Sequence, residues 1–381
     1  MRLTALAASF LLLAVSTSAF AQQTRPAPPR GPVPPNAQQD AEPPLTPEQQ
    51  ANRAAVARYQ NGLEAFLRAS SSPRDQAMSV QVMHADDRDG PDPADAARGA
   101  LLRQAAQAAP NDRLVQWTWA IAPEEVSGCT AASPCRDRGG ALARLEPDNG
   151  AAWVAVVADG VRFNDNAKID DALSHLAAST RYDEVFHDAM SAWLDAFRRH
   201  PIPAELLRQP DGRTGDATLA AGSFALAQVE NASAPYDELV QACQQDRRAP
   251  ATARAANCAK AGRLMLDRST TIVGRMVGET LLRASGPPTP EDRERMRTAA
   301  WQLEQHARLT KGGGDPARDR ERMDLLVGSE SEVAAMQEEL RRANVPLTPP
   351  AGWQPTRQQP PAGPPQRGGE DDDAMQDPSS H

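Results

Sequence analysis

One phrase occurs twice in this chain. Pro110-Asn111-Asp112 is followed by Trp117, and Pro147-Asp148-Asn149 by Trp153; the two prolines lie 37 residues apart, each closing an Ala-, Leu- and Arg-rich segment. Self-similarity at a period of roughly 30–50 residues marks stacked helical hairpins, because one hairpin cannot cover its own apolar face and needs a neighbouring copy to do so. The expected fold is therefore all-α, a stack of antiparallel helical hairpins. Such a stack offers surface to a partner rather than a reaction centre.

Local punctuation agrees. Thr46-Pro47-Glu48-Gln49 combines a cap, a proline at the first helical position and a capping-box glutamine. The same order recurs at Ser72-Pro73 with Asp75, at Asp92-Pro93 with Asp95, and at Thr289-Pro290 with Asp292. Apolar stripes at helical spacing follow: Val56, Tyr59, Leu63, Phe66 and Leu67; Phe186, Met190, Trp193, Leu194 and Phe197; Ile272, Val273, Met276, Val277 and Leu281. No stretch alternates with period two. About twelve to fifteen helices are expected between residues 46 and 344, packed through many small alanine contacts.

Within that core, Leu145 to Asp183 resembles a tetratricopeptide repeat. Leu145-Glu146-Pro147-Asp148-Asn149-Gly150-Ala151-Ala152-Trp153 is similar to the family's inter-repeat phrase, in which a proline ends one unit and an aromatic opens the next. Ala172-Leu173 resembles the small-plus-large step of the second helix. The sequence departs from the pattern at Gly160, where a tyrosine is usual, in roughly three extra residues between the helices, and in lacking a closing proline near Asp183. The likeness covers about one and a half repeats, residues 106–183, and implies structural roles for Pro110, Trp117, Pro147 and Trp153, with the aromatic covered by its own and the preceding hairpin.

The ends of the chain are different in kind. Met1-Arg2 leads into an apolar run, Leu3 to Val15, too short to span a bilayer, and then to Ala19-Phe20-Ala21. This is the order of a secretory signal peptide over residues 1–21, with cleavage before Gln22. No Cys follows that would carry a lipid, and no other stretch approaches a membrane span. Only Lys168, Lys260 and Lys311 among 41 basic residues are lysine, which with the abundance of Ala and Pro indicates a GC-rich bacterial genome. The mature chain is expected to be soluble, in the periplasm or the medium. Residues 22–45 and 345–381 are rich in Pro and poor in large apolar side chains, the second ending in Glu370-Asp371-Asp372-Asp373; both are expected to be disordered arms.

Four cysteines in an exported chain read as disulfides. Three pairings are possible, and spacing favours Cys129 with Cys135 across a short loop and Cys243 with Cys258, which flank Pro250-Ala251 symmetrically. Neither pair has the spacing of a zinc site.

A net charge of −9, and of −10 once Arg2 is removed, with scattered arginines argues against nucleic acid, which needs a concentrated basic face. Arg198-Arg199 and Arg341-Arg342 fall at expected helix ends, where they complement the dipole. The histidines include no H-x-x-x-H pair; the closest, His175 and His187, are twelve apart. No serine sits in a nucleophile elbow, Gly222-Ser223 reads as a close-packing step in a helix, and Gly312-Gly313-Gly314 lacks the Lys-Ser/Thr of a phosphate loop. The acidic pairs Glu124-Glu125, Asp170-Asp171 and Glu338-Glu339 are expected in loops or on solvated faces. No catalytic, cofactor or metal residue is assigned. The expected function is that of a non-catalytic protein- or peptide-binding or scaffold module of the bacterial envelope. The alternative is an exported α-helical enzyme acting on cell-wall glycans, which would require two close carboxylates in a pocket or His175 facing His187.

Overall fold

Helices begin where the chemistry of their first turns directs. In the computed structural model, which describes residues 45–82, 95–123, 126, 137–208, 214–244, 253–311 and 315–355, Thr46 Oγ1 accepts from the Gln49 N–H at 3.2 Å. Gln49 Oε1 in turn accepts from the Thr46 N–H at 2.8 Å, opening α1 (Pro47–Arg68). The same reciprocal box joins Thr289 and Asp292 at the start of α13 (Pro290–Thr310), and Ser72 caps α2 (Pro73–Ser79). The signal at Asp92-Pro93, the signal peptide, nearly all of the N-terminal arm, Glu124-Glu125, Cys129, Cys135 and Gly312-Gly313-Gly314 lie outside the described residues.

The chain continues as α3 (Asp95–Ala108), α4 (Arg113–Ile121), α5 (Arg138–Leu145), α6 (Gly150–Arg162), α7 (Asn166–Ala178), α8 (Phe186–Arg199), a 3-10 turn (Ala204–Leu207), α9 (Ala217–Asn231), α10 (Tyr236–Gln244), α11 (Ala253–Arg268), α12 (Ile272–Ala284), then, after α13, α14 (Pro316–Gly328) and α15 (Glu332–Arg342). The described residues are all-helical. They include no β-strand, only isolated bridges, of which Asn149 with Arg181 and Tyr182 with Ser269 matter below.

Helix α6 is the centre. Apart from Asp159 and Arg162 it is apolar, all its residues except Trp153, Val161 and Arg162 are buried, and it packs against α5, α7 and α10. α11 lies against α7 on one side and α12 on the other. The stripes of α1 and α8 face this core: Leu63, Leu67, Met190, Trp193 and Phe197 are all buried. Burial of so many apolar side chains, at about 25 cal/mol per Å², dominates the stability.

The stripe expected on α12 is rotated from its assigned position. Met276 is exposed, and the buried face runs through Gly274, Val277, Gly278, Leu281 and Leu282. The reason is close backbone approach: a Cβ on Gly278 would stand 2.7 Å from the Leu266 nitrogen and 2.8 Å from the Gly262 oxygen, so α11 and α12 touch through glycines. Gly222 plays the expected close-packing part on α9, where a Cβ would meet Met323 Sδ at 2.4 Å.

The chain also runs in fixed contact beyond residue 344. Residues 345–355, grouped by composition with the C-terminal tail, lie against α13: the Trp301 ring meets that of Trp353 edge-on at 5.2 Å, and Pro349 is buried. A pair of tryptophans supplies the apolar anchor that the proline-rich composition concealed.

Candidate functional site

The repeated phrase has a shared physical content: its third residue is a helix cap. Asp112 Oδ1 accepts from the Leu114 and Val115 N–H groups at 3.0 and 3.2 Å, and Asn149 Oδ1 accepts from Ala151 at 3.2 Å. Trp117 comes five residues after its cap and Trp153 only four after its own. One residue is 100° of helix rotation, so the two rings face differently. Trp117 is buried, its Nε1 donating to the Ala232 carbonyl at 3.1 Å. Trp153 is half-buried at the edge of the core, donates to the Pro147 carbonyl at 3.0 Å, and stacks on His175 at 4.1 Å.

Around these turns two arginines meet four carboxylates. Arg113 pairs with Glu146 at 3.3 Å, with Asp183, and with Asp188 at 3.5 Å. Arg181 pairs with Glu146 at 3.1 Å, Asp148 at 3.2 Å and Asp183 at 3.6 Å. Asn149, fully buried, donates to Glu146 Oε2 and to the Asp183 carbonyl. The cluster fastens the α5–α6 turn to the start of α8; its buried Arg113 Nε–H lies within ion-pair distance of Glu146 but makes no hydrogen bond among the described residues.

The candidate cysteine bridge is present: Cys243 and Cys258 join α10 to α11 with 5.9 Å between their Cα atoms. His175 and His187 serve different neighbours. His175 stacks on Trp153 and lies 3.8 Å from Asp171, whereas His187 Nδ1 lies 3.1 Å from the Ser329 carbonyl. Glu339, expected on a solvated face, is drawn inward by His306 at 3.0 Å and Arg322 at 2.7 Å, which hold its carboxyl below the usual range against its burial. Arg199 likewise does more than complement a helix end. It grips buried Asp75 of α2 with two bonds of 2.8 and 2.7 Å.

Sequence reasoning missed the most concentrated polar group among the described residues. Glu184, buried in the connection before α8, receives Tyr236 Oη and, at 2.8 Å, Thr271 Oγ1 on its Oε1. Its Oε2 accepts from Ser269 Oγ at 2.5 Å, the Thr271 N–H at 3.1 Å and Thr270 Oγ1 at 3.4 Å. Burial pushes the Glu184 carboxyl up despite these donors, and the Tyr236 hydroxyl is raised well above its ordinary value by burial and by that carboxylate. The next residue, Val185, adopts φ 54°, a left-handed conformation that costs a β-branched side chain free energy. Two further glutamates feel the same region. Burial raises Glu230 to about 7, and Glu332, whose Oε2 accepts from the Ile272 N–H at 2.8 Å, is raised to about 7 by burial, with Glu230 and Glu184 adding repulsion. Nothing local marks these residues, because their partners lie 52 to 87 positions away.

A hollow of about 460 Å³ opens between α11, α12, α13 and α15, lined among others by Asp267, Arg275, Arg295, Thr298, Gln302 and Gln337. The C-terminal segment runs beside it. Trp301 Nε1 donates to the Pro346 carbonyl at 2.7 Å and Gln302 Nε2 to that of Leu347 at 3.0 Å. Arg297 Nη1 reaches the carbonyls of Pro350 and Trp353, each at 3.3 Å. Among the described residues, no three His, Cys, Asp or Glu side chains are grouped to hold a metal ion, and no helix is long and apolar enough to cross a membrane. No protein-family model matches the chain, nor does any curated protein or solved structure.

Proposed function

We propose that this chain is an exported, non-catalytic protein- or peptide-binding module of the bacterial cell envelope, built from tetratricopeptide-like hairpins and carrying a second disulfide between Cys129 and Cys135. One observation carries the reading. Helix α13 holds the non-helical segment 346–353, which turns at Ala351-Gly352, through donors from Trp301, Gln302 and Arg297 to main-chain carbonyls. Main-chain carbonyls are common to every peptide, so a helix surface that grips them in this way suits non-helical peptide segments in general. The open hollow beside it leaves room for a longer ligand. Net negative charge with paired, dispersed arginines disfavours nucleic acid.

The rival, an exported helical enzyme on cell-wall glycans, is favoured by the carboxyls of Glu230 and Glu332, both raised to about 7, since proton transfer near neutrality uses such groups. Affinity capture from an envelope fraction with the full mature chain, alongside incubation with cell-wall fragments, separates the two. A partner retained by the parent and lost on Trp301→Ala supports binding. Fragment turnover abolished by Glu332→Gln, with no retained partner, would establish the enzyme instead. Mass measurement of the same preparation should place its N-terminus at Gln22; an intact Met1 would remove the export argument.

A further inference from the structure

Arg275 of α12 lines the hollow in an unusual state. Its Nη1 donates to Gln302 Oε1 at 3.1 Å, and its buried Nε–H has no hydrogen-bond partner among the described residues. Among those residues it forms no ion pair. Asp267 attracts it only from a distance, being itself held by Arg295 at 3.2 Å, and burial draws the Arg275 pKa below its ordinary value. A guanidinium stays charged at neutral pH regardless, so a cation is held largely out of water with one neutral contact. Buried charges are ordinarily paired, because only a counter-charge and hydrogen bonds offset the lost hydration. The neighbouring cations have theirs: Arg263 grips Asp292 at 2.7 Å, and Arg297 grips Glu294 at 2.7 Å.

We propose that the hollow binds a peptide carboxylate, a free C-terminus or an acidic side chain, with Arg275 as the anchoring cation and Gln302, Gln337 and Thr298 as neutral partners. This rests on the peptide-binding reading above. The charge of the walls selects the ligand. One guanidinium without a counter-charge balances a monoanion, while Glu291 and Glu294 on the same walls repel a phosphate dianion about twice as strongly as a carboxylate. A carboxylate is also the planar match for the guanidinium fork. Gln302 links the two halves of the site: its Oε1 takes Arg275 and, at 3.3 Å, Gln337, while its Nε2 holds the Leu347 carbonyl. A ligand at Arg275 therefore bears on the side chain that retains the docked segment.

The mature chain is to be titrated calorimetrically with three N-acetylated hexapeptide mixtures of neutral residues: one with a free C-terminal carboxylate, one C-terminally amidated, and one amidated with a central glutamate. Inorganic phosphate forms a fourth arm. At least one carboxylate-bearing mixture is expected to bind about tenfold or more tightly than the neutral amide, and whichever does so identifies the source of the carboxylate. Arg275→Gln should abolish that preference. Gln302→Glu, which installs a carboxylate beside Arg275, should abolish it with the arginine intact, so a poorly folding Arg275→Gln chain does not end the test. Equal binding of all three mixtures, or a preference surviving both substitutions, overturns the proposal and leaves the peptide-binding reading standing. Phosphate binding without carboxylate binding also overturns it. If no mixture binds, both readings fall.

Discussion

Replacing Glu184 tests whether the polar centre of the molecule holds the fold. Its two oxygens accept five donors from two segments, residue 236 and residues 269–271. In Glu184→Gln the amide nitrogen fits best at the Oε1 position, where the Tyr236 and Thr271 hydroxyls can rotate to accept, leaving the Thr271 N–H on the remaining oxygen. The loss is then the charge assistance of the network, worth about 1.5–3 kcal/mol per bond to an ion, partly offset because a neutral amide is cheaper to bury than the carboxylate. A net destabilisation of about 1–3 kcal/mol is expected. Glu184→Ala strands buried donors and opens a void, and should cost about 3–5 kcal/mol. Urea unfolding at neutral pH followed by far-ultraviolet circular dichroism, with the slope unchanged, gives both values. If the alanine variant unfolds within about 0.5 kcal/mol of the parent, the network does not organise these connections, and the strained backbone at Val185 must be held by other contacts.

Other outcomes follow from the same structure. Reducing Cys243–Cys258 frees a loop of 15 residues and should lower stability by about 3 kcal/mol without unfolding the chain; a reduced chain with the parent's urea midpoint would contradict this. Between about pH 4.5 and 7 the folded chain keeps protons on Glu230 and Glu332 that the unfolded chain has released, so their contribution to stability falls as pH rises through that window. Glu230→Gln combined with Glu332→Gln should flatten that decline by about 1–3 kcal/mol, and a decline as steep as the parent's would refute the assignment. Trp117→Ala should cost about 3–5 kcal/mol and Trp153→Ala less, because only the first ring is fully buried; equal Tm losses in thermal melts would contradict the rotation argument.

What could be read in the sequence was what is decided within a turn or two of chain. A cap, its proline and its acid sit within four residues, so Thr46, Ser72 and Thr289 announced their helices. The bridge between Cys243 and Cys258 was legible because the symmetry of a hairpin is a local property. Hydropathy found Val277 and Leu281 on α12 but missed the rest of its buried face for a reason of kind: it counts apolar atoms, and Gly274 and Gly278 are buried there because they lack side chains.

The candidate site was illegible for the complementary reason. Arg275 in sequence is one arginine among many, and what distinguishes it is a deficit, since the carboxylate that could have paired with it, Asp267, is held by Arg295 from another helix. A deficit of partners is a property of the packed neighbourhood. The same argument bears on function. At the repeated turns the arginines have counter-charges, as Arg113 and Arg181 share Glu146 and Asp183. Chains that bury charge only to fasten themselves leave their ions paired. A cation that Gln302 meets with a neutral amide, on the wall of an open hollow and one side chain away from a docked peptide segment, is placed for a counter-charge that arrives from outside.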